Sequence, residues 1–195
     1  MVGRPRQFDE DQVLEKAMSA FWAHGYETTS MLDLVSATGL HKGSLYQAFG
    51  NKHDLFVKSL RRYLEEMRLE KSRLLKEADS PLAGIYAVLH GMVEISDDDD
   101  GCPKGCLAVN SLVELAPHDL EVGSVMNEHT NQMLTSMTQV VSEAQALGQI
   151  SDARPADLIC MLMMTFMSGL ATLIKGPIDK AQAHQLLDAE LKALI

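Results

Sequence analysis

Ser30-Met31-Leu32-Asp33-Leu34-Val35-Ser36-Ala37-Thr38-Gly39-Leu40-His41-Lys42-Gly43-Ser44-Leu45-Tyr46-Gln47-Ala48-Phe49 is the stretch on which the fold turns. Ser30 is a good N-cap residue, and Asp33 three positions on makes a weak capping box. Met31, Leu34 and Val35 then form the inner face of a short helix. Thr38-Gly39-Leu40 makes a tight turn in which Gly39 is free to adopt a left-handed conformation. A third helix follows from His41 to Phe49, with Leu45 and Phe49 facing inward at i and i+4. Two helices of about two turns, joined by a short turn containing Gly, make a helix-turn-helix.

Upstream, Val13, Leu14, Ala17, Ala20 and Phe21 mark one buried stripe on a first helix from about Asp9 to His24. Asp9, Glu10 and Asp11 suit the start of its dipole, and Gly25 suits its end. Downstream, Asn51 caps a long helix from Lys52 to about Glu77. Its apolar side carries Leu55, Phe56, Leu60, Tyr63, Leu64, Met67, Leu74 and Leu75. Its basic side carries Lys58, Arg61, Arg62, Arg68, Lys71 and Arg73, and reads as a solvated face laced with Glu65, Glu66 and Glu70.

The outer face of the helix-turn-helix carries chemistry that a bare hairpin lacks. His41, Lys42, Ser44 and Gln47 lie at the start or on one side of the third helix, with polar groups able to bond base edges in a major groove. Gly43 allows close backbone approach. Tyr46 points away from Leu45 and Phe49, so its hydroxyl can reach a phosphate. Lys52 adds charge to backbone amides that already favour anions. Gly3-Arg4-Pro5-Arg6 is a short basic arm suited to a backbone or a minor groove.

The string Ala17, Phe21, Gly25-Tyr26, Thr28-Thr29-Ser30, Leu34-Val35, Thr38-Gly39-Leu40-His41-Lys42-Gly43-Ser44-Leu45-Tyr46, Phe49, Asn51-Lys52 and Leu55 resembles the N-terminal domain of TetR-family transcriptional regulators across residues 4–56. Lys42 to Leu55 is its most specific part. The resemblance implies a third helix in the major groove and a dimer on a pseudo-palindrome. It places Lys42, Gly43, Ser44 and Gln47 near bases, and Thr29, Tyr46 and Lys52 on phosphates. His41 departs from a frequent Ser or Thr, and Gln47-Ala48 from a more aromatic or His-rich pair, so the operator sequence does not transfer. The candidate DNA-binding set is Arg4, Arg6, Thr29, Ser30, His41, Lys42, Gly43, Ser44, Tyr46, Gln47 and Lys52.

The chain has 195 residues, 46% of them apolar and 23% charged, which excludes wholesale disorder. A net charge of −10 argues by itself against nucleic acid. It is unevenly spread. Residues 1–78 hold 12 Lys+Arg against 11 Asp+Glu, whereas residues 79–195 hold 5 against 16. One segment tolerates a polyanion and the other repels it.

The remainder is helical, with no convincing period-2 run. Five further helices are expected: about Pro81–Ser96, Lys104–Leu115, Asp119–Leu147, Pro155–Lys175 and Asp179–Leu194. The fold class is therefore all-α with about nine helices. A helix-turn-helix DNA-binding domain spans 1–50, and an effector-binding and dimerisation domain spans 51–195, with the long connecting helix at about 52–77. Leu158 to Ile174 carries no charge. It is slightly short for a membrane span and holds Thr165, Ser168, Gly169 and Thr172, so it reads as a helix buried on two sides in a soluble oligomer. The expected dimer surface is Met161, Met164, Ser168 and Thr172 with Leu187 and Leu191 of the last helix.

Twelve Met residues suggest either plain core filling or a plastic pocket for an apolar small molecule. The candidate pocket residues are Met67, Met92, Met126, Met133, Met163 and Met167. Few aromatics, and no cluster of buried positive charge in view, argue against a bulky anionic ligand. Gly105-Cys106-Leu107-Ala108-Val109-Asn110 resembles a segment in one TetR branch, some of whose members respond to electrophiles or oxidants through this Cys. That implies Cys106 as a sensor near a helix start beside Lys104, with Cys102 as its resolving partner; the alternative is an inert structural thiol. Asp97 to Asp100 reads as a solvated loop. No metal and no cofactor is expected, since Cys102 and Cys106 with His90 and His118 lack a zinc-finger spacing. His24, His53 and His184 read as surface residues.

No nucleophile elbow, phosphate loop or dinucleotide fingerprint is present, which argues against an enzyme. Three Cys and no signal-peptide pattern suggest a reducing cytoplasm. The expected partners are double-stranded operator DNA, a second copy of the chain, and a small-molecule or electrophile effector, with no membrane. The alternative is a helical adaptor that binds no DNA.

Overall fold

The computed structural model describes residues 8–94 and 104–195. Arg4, Arg6 and Cys102, with the Asp97–Asp100 run, lie outside the described residues. Nine helices make up the described chain: α1 (Glu10–His24), α2 (Met31–Thr38), α3 (Lys42–Phe49), α4 (Lys52–Glu77), α5 (Pro81–Glu94), α6 (Leu107–Glu114), α7 (Leu120–Ala146), α8 (Ala156–Ile174) and α9 (Lys180–Leu194). The all-α expectation is met.

Local chemistry sets the boundaries. Asp9 caps α1 by accepting from the Asp11 and Gln12 amides. Ser30 and Asp33 form a full reciprocal box on α2, and Asn51 and Asp54 form another on α4. Gly39 ends α2 at φ +72°. The α6 boundary differs from expectation. The helix starts at Leu107 with Cys106 as N-cap, because Gly105 turns the chain at φ +66°.

Two cores result. The first joins α1–α3 to the front half of α4, to α6 and to the start of α7. Leu34, Leu45 and Phe49 seat the helix-turn-helix on Phe21 of α1 and on Leu55, Phe56 and Leu60 of α4. The Phe21 and Phe56 rings meet edge-on at 5.1 Å, a preferred aromatic geometry. The second core packs α5, the back of α7, α8 and α9.

Leu187 and Leu191 belong to that second core. Each is 1% exposed, so neither is on a free surface. The sequence pattern finds the right stripe but assigns it to a partner copy. In fact α9 needs it to dock on α5 and α8, and only one apolar stripe of that strength is present. Leu186 is the large apolar side chain that α9 leaves exposed. On α8 the free face carries Leu158, Met161, Leu162, Thr165, Thr172 and Leu173. Met164 and Ser168 are half-buried and, with Thr165, line a cavity. By length and composition α8 can cross a membrane, with a mean hydropathy of 1.8, yet its other face packs on α7 and α9.

Candidate nucleic-acid interface and effector cavity

The outer face of α3 is open. His41, Lys42, Gly43 and Gln47 are exposed, Ser44 is half-buried and Tyr46 is 43% exposed. His41 is the N-cap of α3 but its ring bonds no helix amide, which leaves it free for a ligand. The Lys42 ammonium lies 5.8 Å from the Tyr46 ring centre. Lys42 and Tyr46 are four residues apart, so they form one ridge of the helix. Ser30 is exposed at the α2 N-terminus, where its hydroxyl accepts from the Asp33 amide at 3.2 Å.

One expected contact needs revision and another is more constrained than its sequence suggests. Thr29 is 1% exposed, and its hydroxyl donates to the Gly25 carbonyl at 2.6 Å. Its side chain secures the turn after α1 and cannot grip a phosphate. Lys52 is half-buried. Its ammonium sits 4.2 Å over the Tyr26 ring and donates to the Glu27 carbonyl at 3.4 Å. It is an oriented cation on the rim, not a freely swinging one.

The reading head is tied to the rest of the molecule by groups that the sequence did not single out. Glu114, the last residue of α6, accepts from the Tyr26 amide at 3.1 Å and from the Glu27 amide at 2.8 Å. His53 at the start of α4 meets Asp119, the N-cap of α7, at 2.6 Å. The hydrogen bond from the Val122 amide holds the Asp119 carboxyl below the usual range against the opposing effect of burial, and the bond from His53 lowers it further. Arg62 of α4 donates to both the carbonyl and the carboxylate of Asp11 at 3.1 Å. His53 is therefore a fastening and not an idle surface residue. His184 likewise bonds Glu94 at 2.6 Å and His90 at 2.7 Å. No local pattern announces these partners, because 87 or 88 positions separate Glu114 from the amides it holds.

Behind α6 lies a cavity of about 320 Å³ walled by α4–α8. Met67, Met92, Met126, Met133 and Met167 line it. Met163 does not. It is buried beside Val88, Leu89 and Cys160 in the second core. Tyr63 and Cys106 close one wall, with the phenol oxygen 3.4 Å from the sulfur. Burial pushes the Tyr63 phenol well up, and the adjacent Cys106 adds to this. Cys106 stands at the N-cap of α6 and its side chain bonds no helix amide. The expected Lys104 neighbour is engaged elsewhere, its ammonium 5.4 Å from the Trp22 ring centre.

An all-helical chain that presents an open polar helix on a compact three-helix head is a helix-turn-helix DNA-binding protein. Comparisons with known proteins name its kind. Residues 13–58 match the bacterial regulatory proteins of the tetR family, and residues 81–189 match the tetracyclin repressor-like C-terminal domain. The chain is 34% identical over 152 residues to the HTH-type transcriptional repressor ComR of Escherichia coli K12, covering 76% of this chain and 70% of that protein. It is 30% identical over 150 residues to the HTH-type transcriptional regulator YezE of Bacillus subtilis 168, covering 77% of each. A solved structure of the TetR family transcriptional regulator CifR, a cysteine mutant complexed with 26bp double-strand operator DNA, superposes with a TM-score of 0.84. It is 27% identical, and the match covers 98% of this chain and 99% of that one. The chain belongs to the TetR family of bacterial regulatory proteins and is a DNA-binding transcriptional regulator.

Proposed function

We propose that the chain works in the cytoplasm as a homodimer on a pseudo-palindromic operator and leaves it when an effector enters the cavity. Residues 1–50 serve as the reading head and 51–195 as the effector and dimerisation part. His41, Lys42, Gly43, Ser44 and Gln47 face the bases. Tyr46 and Lys52 hold phosphates, and Arg4 and Arg6 add a basic arm. The free faces of α8 and α9, with Leu158, Leu162, Leu173 and Leu186, pair across the dimer axis. Their exposed large apolar side chains support this reading.

The observation that carries the mechanism is the position of α6. Ala108, Val109 and Leu112 line the cavity, and two residues further on Glu114 holds the turn that orients the reading head. Eight residues span about 12 Å, so α6 acts as a short rod between ligand and head. A ligand that displaces this rod tilts the heads away from the spacing of about 34–36 Å that successive major grooves require. A second reading, carried by the thiol in the cavity wall, is that a thiol-reactive effector targets Cys106, with Cys102 as its resolving partner; the alternative is an inert structural thiol.

The test is selection of bound duplexes from a random pool, with and without diamide. A palindromic motif lost on Lys42→Ala with Tyr46→Phe is expected. Release by diamide that dithiothreitol reverses and Cys106→Ser abolishes assigns the effector to the thiol. Recovery of no motif from a folded dimer at low salt overturns the operator reading.

A further inference from the structure

The cavity is not apolar throughout. A smaller lobe of about 60 Å³ adjoins it between α4 and α7 and shares the wall made by Tyr63, Met67, Met92 and His129. This lobe carries Arg68, Glu70, Lys71 and Gln132. Two of its charges are already matched. Arg68 pairs with Glu65 at 2.6 Å, and Glu70 pairs with Arg73 at 2.6 Å. Lys71 is different. It is half-buried, and its ammonium donates to the Ser136 hydroxyl at 2.6 Å, with no carboxylate within ion-pair distance among the described residues. His129 beside it is also half-buried and has no hydrogen-bond partner among the described residues. Burial lowers the pKa of Lys71, and Arg68 lowers it further. Burial lowers that of His129, and Lys71 lowers it further. Lys71 is thus bonded in the structure to a neutral hydroxyl and not to a carboxylate, beside a histidine that burial biases toward its neutral form, and a bound anion would offset the cost of burying its charge.

We propose that the effector is an amphipathic monoanion, an apolar body in the Met-lined chamber with a carboxylate on Lys71 in the adjoining lobe. The proposal rests on reading the cavity as the effector site. The division of chemistry supports it. Thioether and aliphatic side chains accept an apolar chain of variable shape, and the one unmatched ammonium fixes its polar end. Glu128 of α7, in the neighbouring surface groove, accepts from Gln132 at 3.2 Å and makes no ion pair with Lys71. The sequence pattern hides this cation, because Lys71 reads as one more member of the solvated basic side of α4.

The test compares octanoate with octan-1-ol, which share one chain and differ in charge. Binding to the full-length protein is followed by calorimetry and by the fluorescence of Trp22, the only tryptophan, whose ring lies 5.0 Å from that of Tyr63. Wild type is expected to prefer octanoate by about tenfold or more, the worth of one charge-assisted bond. Lys71→Met is expected to abolish the preference while keeping octan-1-ol affinity, and Lys71→Arg to retain it. Equal binding of the two probes by wild type overturns the proposal. So does a preference that survives Lys71→Met, and so does the absence of saturable binding of either probe. Operator release is scored separately. Octanoate that binds through Lys71 but releases no DNA leaves the anion site standing and removes the effector reading.

Discussion

Replacing Glu114 by Ala removes both bonds that α6 makes to the turn after α1. A hydrogen bond to a charged group contributes about 1.5–3 kcal/mol when well shielded. The two here are less shielded. Glu27 is exposed, so water replaces most of what its amide loses, whereas Tyr26 is half-buried and its amide is poorly rehydrated. The expected loss is therefore about 2 kcal/mol, set mainly by the Tyr26 bond. In a chain of 195 residues, this lowers the thermal midpoint by about 4–8 °C. It also frees the turn locally. Amides near Tyr26 and Glu27 are expected to exchange with deuterium roughly tenfold faster or more, while those in the α8–α9 core stay unchanged. Glu114→Gln keeps one carbonyl acceptor and is expected to fall between the two. Calorimetry and hydrogen-exchange mass spectrometry read both effects. An unchanged midpoint together with unchanged exchange over residues 24–30 refutes the idea that this carboxylate secures the reading head.

Gly25→Ala attacks the same joint from the other side. Its φ of +86° with ψ of 167° suits glycine alone, and an added Cβ stands 3.2 Å from a Glu114 carboxylate oxygen, so about 1–3 kcal/mol of destabilisation is expected in chemical denaturation. Because it also disturbs Glu114, the double variant with Glu114→Ala is expected to lose less than the two single losses combined. The depressed pKa of Asp119 makes its contribution pH-dependent. Its stabilisation is complete above the ordinary Asp pKa of about 3.9 and disappears as the pH falls through the lower folded value. The gap in thermal midpoint between wild type and Asp119→Asn is thus expected to close on acidification, and a gap that widens would contradict this. On the α8 face, Leu162→Glu is expected to give a folded, helical monomer by sedimentation, and a stable dimer in that variant would place the interface elsewhere.

Much of this architecture is legible along the chain, because helix boundaries here depend on neighbours. Ser30 with Asp33, Asn51 with Asp54 and Asp179 with Gln182 each declare a helix start within four residues. The open face of α3 is legible for the same reason, since Leu45 and Phe49 fix which way Lys42, Tyr46 and Gln47 point. The failures concern pairings between remote segments. Leu187 and Leu191 form an obvious stripe, but periodicity does not say whether a stripe meets its own protomer or another. Thr29 shares the polarity of Ser30, yet only the path of the turn decides that one hydroxyl caps a backbone carbonyl inside and the other faces out. Lys71 sits among charged neighbours in sequence, and only the approach of α7 buries it.

The most consequential geometry is the one least visible in the sequence, the fastening of α6 at both ends. At its entry the Gly105 backbone lies so close to α8 that a Cβ there would stand 2.7 Å from the Ala171 carbonyl oxygen. Asn110 holds this approach, donating to the Lys104 carbonyl at 3.3 Å while accepting from Lys175 at 3.4 Å. At its exit Glu114 grips two amides of a turn. The two fastenings differ in kind. The entry is a close backbone contact that resists compression, since interiors are dense and poorly compressible. The exit is a pair of hydrogen bonds on a half-exposed turn, of which water can readily replace the outer one, to Glu27. On the proposed mechanism, a ligand pressing on Ala108, Val109 and Leu112 would meet a stiff end and a yielding one. The displacement would then be directed to the yielding end, where Glu114 attaches the reading head.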